Sequence, residues 1–160
     1  MKKNDLKKTI LFLLTFFLLV LVKQFLVCNI PIYAISTGTY DDMMMVSLAE
    51  RILDFKWLGH YTQFTLVKGP FFPFLLALSN FVGIPYISFQ TLLYSLSCAF
   101  FVFCIKDLFK SKYRNIWLLV IFTILLFNPV SFAFETLQRV YRNGITLSQV
   151  LVIFGGFIYL

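Results

Sequence analysis

Long apolar runs separated by short charged clusters dominate the chain, and the runs do not alternate with period two. Without that alternation they read as helices rather than strands. About 20 apolar residues cross the hydrocarbon core of a bilayer as a helix. Only helices and closed barrels satisfy their backbone there. The pattern predicts four spans, over residues 9–27, 86–105, 116–134 and 145–160. The third contains Asn128-Pro129, where a kink is expected. The fourth run stops without a polar tail, so the chain is expected to be the N-terminal part of a larger protein or a truncated copy.

Between the first two spans lies a loop over residues 37–85, opened by the small polar stretch Ser36-Thr37-Gly38-Thr39. Within it residues 42–58 suit a surface helix. Ser47, Glu50, Arg51 and Asp54 recur at helical spacing, opposite Met45, Val46, Ala49, Ile52, Leu53 and Trp57. One wet and one oily face place such a helix in the membrane interface. After the Gly69-Pro70 turn, residues 71–82 form a second helix with Pro73 in its first turn. Twelve residues rise about 18 Å, less than a core of about 30 Å. The expected fold is therefore all-α integral membrane, with about four transmembrane helices and two membrane-parallel helices in the first outside loop.

Charge fixes the orientation. Lys2, Lys3, Lys7 and Lys8 precede the first span, and Lys106, Lys110, Lys112 and Arg114 fill the loop 106–115. Basic clusters stay on the cytoplasmic side. If residues 71–82 lie along the membrane, both clusters fall inside and residues 135–144 form a second outside loop. The composition agrees: 60% of residues are hydrophobic and 13% charged, against about 25% charged in a soluble domain. The net charge of +7 comes from these flanking clusters, with no basic face of the kind that binds nucleic acid. A cleaved signal peptide competes for the first span. The apolar run continues past Lys23 to Ile35 with no A-x-A-like site, and Val27 rather than a small residue precedes Cys28, which favours an uncleaved span. Cys28, Cys98 and Cys104 lack metal-ligand spacing and read as small hydrophobes.

Phosphate-binding glycine loops, HExxH and nucleophile elbows are absent, and His60 is the single histidine. Three surface features carry possible chemistry. Asp41-Asp42 sits just beyond the first span. Adjacent carboxylates raise one another's proton affinity, which suits a base or a cation ligand; helix capping is the equal alternative. In the second outside loop, Glu135, Arg139 and Arg142 would share a face if the segment is helical, where the arginines suit phosphate. The alternative is an i, i+4 salt bridge. Lys68 precedes Gly69-Pro70, and interfacial snorkelling is its plainer role.

Read in order, Tyr40-Asp41-Asp42, then 47–53, then Lys68-Gly69-Pro70-Phe71-Phe72-Pro73 running to Leu78, then Leu92-Leu93-Tyr94 entering a span that ends at Lys106, resemble the N-terminal module of the GT-C glycosyltransferases. More narrowly they are similar to the family of protein O-mannosyltransferases and lipid A aminoarabinose transferases, over roughly residues 1–142. Gly69 stands where that family usually has a proline, and Glu135 where it often has Asp. The resemblance implies transfer of a sugar from a polyprenyl-phosphate donor to an envelope glycopolymer, lipid or protein on the outer face. It implies Asp41 as base, or as metal ligand in metal-using relatives, with Asp42 assisting. Glu135 would orient the acceptor, and Arg139, Arg142 and Lys68 would hold phosphate. A divalent metal ion is compatible with the acidic pair but not demanded by it. Later spans would complete the donor groove, so residues 1–160 alone are expected to be inactive. Lys, Phe and Ile richness fits a low-GC bacterium, and the expected location is its cytoplasmic membrane with the N-terminus inside.

Two other classes compete. A transporter or flippase subunit would carry ionisable groups in mid-membrane, whereas the only one within the predicted spans is Lys23, near an end. A non-catalytic accessory membrane protein is the third.

Overall fold

The computed structural model describes residues 3–35, 41–60 and 69–160. Among them the chain is helical, with six α-helices and one isolated bridge between Tyr33 and Arg139. In chain order these are α1 (Lys3–Val27), α2 (Asp42–Leu53), α3 (Phe71–Val82), α4 (Tyr86–Ile105), α5 (Arg114–Leu126) and α6 (Asn143–Tyr159).

Two of these helices are long and apolar enough to cross a membrane. The stretch Ile10–Val27 of α1 has a mean hydropathy of 2.6, and Tyr86–Leu108, comprising α4 and the 3-10 turn after it, reaches 1.7. They differ in surroundings. The first holds many of its leucines and phenylalanines outward, with Leu11, Phe17 and Phe25 more than half exposed. The second is central, packing against α1, α5 and α6. Together with Ile153, Phe154 and Phe157 of α6, the outward residues make an apolar surface that monomeric soluble proteins seldom show.

The core follows from α4. Tyr94, Cys98, Val102 and Ile105 form one buried row against Leu118, Phe122 and Leu126 of α5. Phe16 of α1 stacks on Phe122 with ring centroids 4.0 Å apart. On the opposite side Gly155 of α6 lies against Phe100 and the Phe101 backbone. A small residue there lets the two helix backbones approach closely.

Between α1 and α4, the two described helices form over the stretches their pattern predicts, with one change. The apolar face of α2, including Met45, packs on Phe72 and Leu75 of α3 and on Tyr86 and Phe89 of α4. Its polar face, Glu50, Arg51 and Asp54, is exposed. However, α2 ends at Leu53 rather than continuing to 58. Phe55 and Trp57 both take left-handed backbone (φ 59° and 54°). Arg51 Nη1 then donates to the Leu58 carbonyl at 3.1 Å, folding the chain back. Helix α3 runs over the expected 71–82 and stops on Gly83, whose φ of 75° suits a glycine C-terminal cap.

Of the later elements, α6 covers the expected 145–160 to within two residues, whereas α5 is shorter than expected. Residues 116–134 do not form one continuous helix, because α5 ends at Leu126. Pro129 supplies no N–H and holds Asn128 extended (ψ 130°), while Asn128 Oδ1 accepts from the Val130 N–H to start a new 3-10 turn, Pro129–Phe132. Thirteen residues rise about 20 Å, and the 17 residues of α6 about 26 Å.

Candidate functional site

The segment leading into α2 and the segment before α6 meet at one ion pair. After α1 the chain runs past residues 138–140: the Tyr33 N–H donates to the Gln138 carbonyl at 2.7 Å, and the Val140 N–H to the Tyr33 carbonyl at 3.0 Å. This pairing delivers Arg139 to the head of α2. Its Nε lies 2.9 Å from Asp42 Oδ2, and its Nη2 lies 3.0 Å from Oδ1. The Ile35 N–H donates to Oδ2 at 3.1 Å. Asp42 is fully buried, and the Arg139 side chain is 14% exposed. Fork-to-fork pairing of this kind is the strong form of a charge-assisted hydrogen bond.

That geometry separates the two acids. Asp42 is the first residue of α2, where the helix dipole also favours its charge. With about four acceptor directions per carboxylate, its oxygens are taken up by Arg139 and Ile35, so the adjacent pair does not present two open carboxylates to one cation. Asp41 stands at the N-cap position, half-buried, and makes no side-chain capping hydrogen bond. Among the described residues, no three His, Cys, Asp or Glu side chains gather as a metal-ligating group.

The second loop is not the helix that would align Glu135, Arg139 and Arg142. A single π turn, Phe134–Gln138, gives way to extended backbone at Arg139 (φ −106°, ψ 139°). Pairing with Tyr33 pulls the segment straight, and the i, i+4, i+7 face never forms. Glu135 and Arg142 are exposed. Both guanidiniums approach the Tyr141 ring, Arg139 at 5.1 Å and Arg142 at 6.0 Å from its centroid. Lys68 lies outside the described residues.

Further along α2, a groove of about 480 Å³ opens against α3 and the start of α4, lined by none of Asp41, Asp42, Glu135, Arg139 and Arg142. Its walls are mostly apolar (Val46, Leu53, Leu76), with Glu50 and Asn80 as polar members.

A second polar cluster lies inside the bundle, and hydropathy alone does not reveal it. Lys23 is 1% exposed. Its Nζ lies 2.7 Å from Ser131 Oγ and 3.0 Å from the Phe132 ring centroid. Lys23, Gln90, Thr91, Tyr94 and Ser131 line a cavity of about 10 Å³, close to the least that holds one water. Gln90 Nε2 donates to the Thr136 carbonyl. Gln90 Oε1 and Thr91 Oγ1 are buried without a hydrogen-bond partner among the described residues. The signal in the sequence is a lysine inside an apolar run, with Gln-Thr entering the next one. What the sequence lacks is the direction in which Lys23 points. The cysteines are all free thiols, with Cys98 and Cys104 buried and Cys28 exposed.

No protein-family model, curated protein or solved structure matches this chain.

Proposed function

We propose that the chain is the N-terminal membrane module of a glycosyltransferase that moves a sugar from a polyprenyl-phosphate donor to an acceptor on the outer face of a bacterial cytoplasmic membrane. The accompanying topology has four spans, with α2 and α3 lying along the outer surface and residues 106–115 inside. The observation that carries the reading is the Asp42–Arg139 pair, which draws the acidic head of α2 and the basic second loop to one place. A lipid-phosphate donor needs a carboxylate and cations together at a membrane surface. In this reading Asp41 takes the acceptor's proton, and Asp42 positions Arg139 rather than acting as a second base. Glu135 orients the acceptor, and Arg142 and Lys68 meet the phosphate.

The test is transfer of labelled sugar from a polyprenyl-phosphate donor by membranes holding the full-length protein. Asp41→Asn should abolish transfer with normal membrane insertion. Retained transfer removes Asp41 from the role.

One observation favours a second reading, a transporter or flippase subunit: the inward-facing Lys23 among polar side chains. Intramembrane ionisable groups mark substrate or proton paths. Under that reading Lys23→Met stops flux across sealed vesicles, whereas under the transferase reading it leaves sugar transfer intact.

A further inference from the structure

At the end of the bundle away from the Asp42–Arg139 pair, a pocket of about 510 Å³ lies between the start of α1 and the start of α5. It has two unlike halves. One is cationic and polar: Lys112 and Arg114, with Ser111 and Asn115 beside them. The other is apolar, Leu11 and Phe12 of α1 facing Ile116 and Leu119 of α5. Among the described residues no acidic side chain lines either half. Ser111 Oγ accepts from the Tyr113 N–H at 3.2 Å, which leaves its own O–H to donate. Arg114 begins α5, so the positive end of that helix dipole adds to the two side-chain charges.

We propose that this pocket binds an anionic phospholipid of the adjacent leaflet, its phosphate held by Lys112, Arg114 and the Ser111 hydroxyl and its acyl chains lying along Leu11, Phe12 and Ile116. The inference rests on the membrane reading of α1, but not on sugar transfer. Two features choose a lipid over free phosphate. The apolar half is continuous with the Ile10–Val27 stretch, and inorganic phosphate would use only the polar half. Basic pockets between membrane helices on the side of the basic loops take anionic headgroups for this reason. Each cation near the surface adds enough attraction that two together favour an anionic over a zwitterionic lipid by on the order of tenfold at low salt.

Trp117 follows the pocket-lining Ile116 on α5 and is half exposed, so it reports on lipid there. The full-length protein carrying Trp57→Phe, with any tryptophan beyond residue 160 also replaced by Phe, is reconstituted in phosphatidylcholine containing a small fraction of brominated lipid. Brominated phosphatidylglycerol should quench Trp117 at several-fold lower mole fraction than brominated phosphatidylcholine. The double variant Lys112→Gln/Arg114→Gln should lose that preference and keep quenching by phosphatidylcholine, which shows that α5 is still in lipid. Lys106→Gln/Lys110→Gln should keep the preference. Equal quenching by the two lipids overturns the proposal, as does a preference that survives in the first variant or disappears equally in the second. Displacement of phosphatidylglycerol by millimolar inorganic phosphate would make this a free-phosphate site. Absence of quenching by either lipid would instead reject the membrane reading of α5.

Discussion

Asp42 and Arg139, 97 residues apart, share a bidentate ion pair that joins the head of α2 to the segment before α6. Asp42 is wholly buried, so removing its partner strands a charge away from water. Breaking a pair of this kind costs about 3–5 kcal/mol. Arg139→Ala should therefore lower stability by about that amount in denaturant titrations in detergent. Asp42→Leu/Arg139→Met, which removes both charges, should recover most of the loss. A double variant as unstable as the single one would show that the pair's shape, rather than its charge, holds the loops.

Lys23 gives the opposite expectation. Its buried ammonium has a serine oxygen and an aromatic face beside it. Lys23→Met keeps the length of the side chain and removes the desolvation cost of the charge. Thermal unfolding should show it at least as stable as the parent. Ser131→Ala, which takes the oxygen away and leaves the charge, should lose about 1–3 kcal/mol.

Two glycines of α6 should respond differently to alanine. At Gly144 an added Cβ would lie 2.5 Å from Gln90 Nε2 and 2.5 Å from the Thr136 carbonyl. Backbone on one side leaves little room to give, and overpacking costs about 1–3 kcal/mol. At Gly156 the same carbon meets nothing within 4 Å. There the gain in helix propensity, about 1 kcal/mol, should dominate. Circular-dichroism melts of the two variants should move in opposite directions.

Phe55 is 92% exposed and held at a φ of 59°. A left-handed conformation costs a residue with a Cβ about 1–2 kcal/mol. Phe55→Gly should raise stability in denaturant titrations by part of that amount, since glycine also gains freedom in the unfolded chain. A loss would mean that the exposed ring makes a contact worth more than the strain.

Local patterns were legible in the sequence, and long-range pairings were not. Helix α4 occupies the expected 86–105 because an uncharged, largely apolar run between Pro85 and Lys106 leaves one reading. Helix α3 stops on Gly83 for the same local reason. The early end of α5 could be half seen. Asn128-Pro129 marked a bend, but only the structure shows Asn128 capping a new turn rather than kinking an old helix. The segment 134–142 was read from i, i+4, i+7 spacing, and its conformation is set by Tyr33, more than a hundred residues earlier. No window along the chain contains that information. Asp41 and Asp42 looked alike as neighbours and became unlike through Arg139. Lys23 failed similarly, since hydropathy counts a lysine without saying which way it faces.

The 97 residues between Asp42 and Arg139 also set a clock for synthesis. Chains elongate at about 5–20 residues per second, so roughly 5–20 s separate the appearance of the acid from that of its partner. Throughout that interval the head of α2 carries a carboxylate that must stay hydrated, and its burial waits for the segment before α6 to emerge. This end of the bundle closes late, on the last turn before α6.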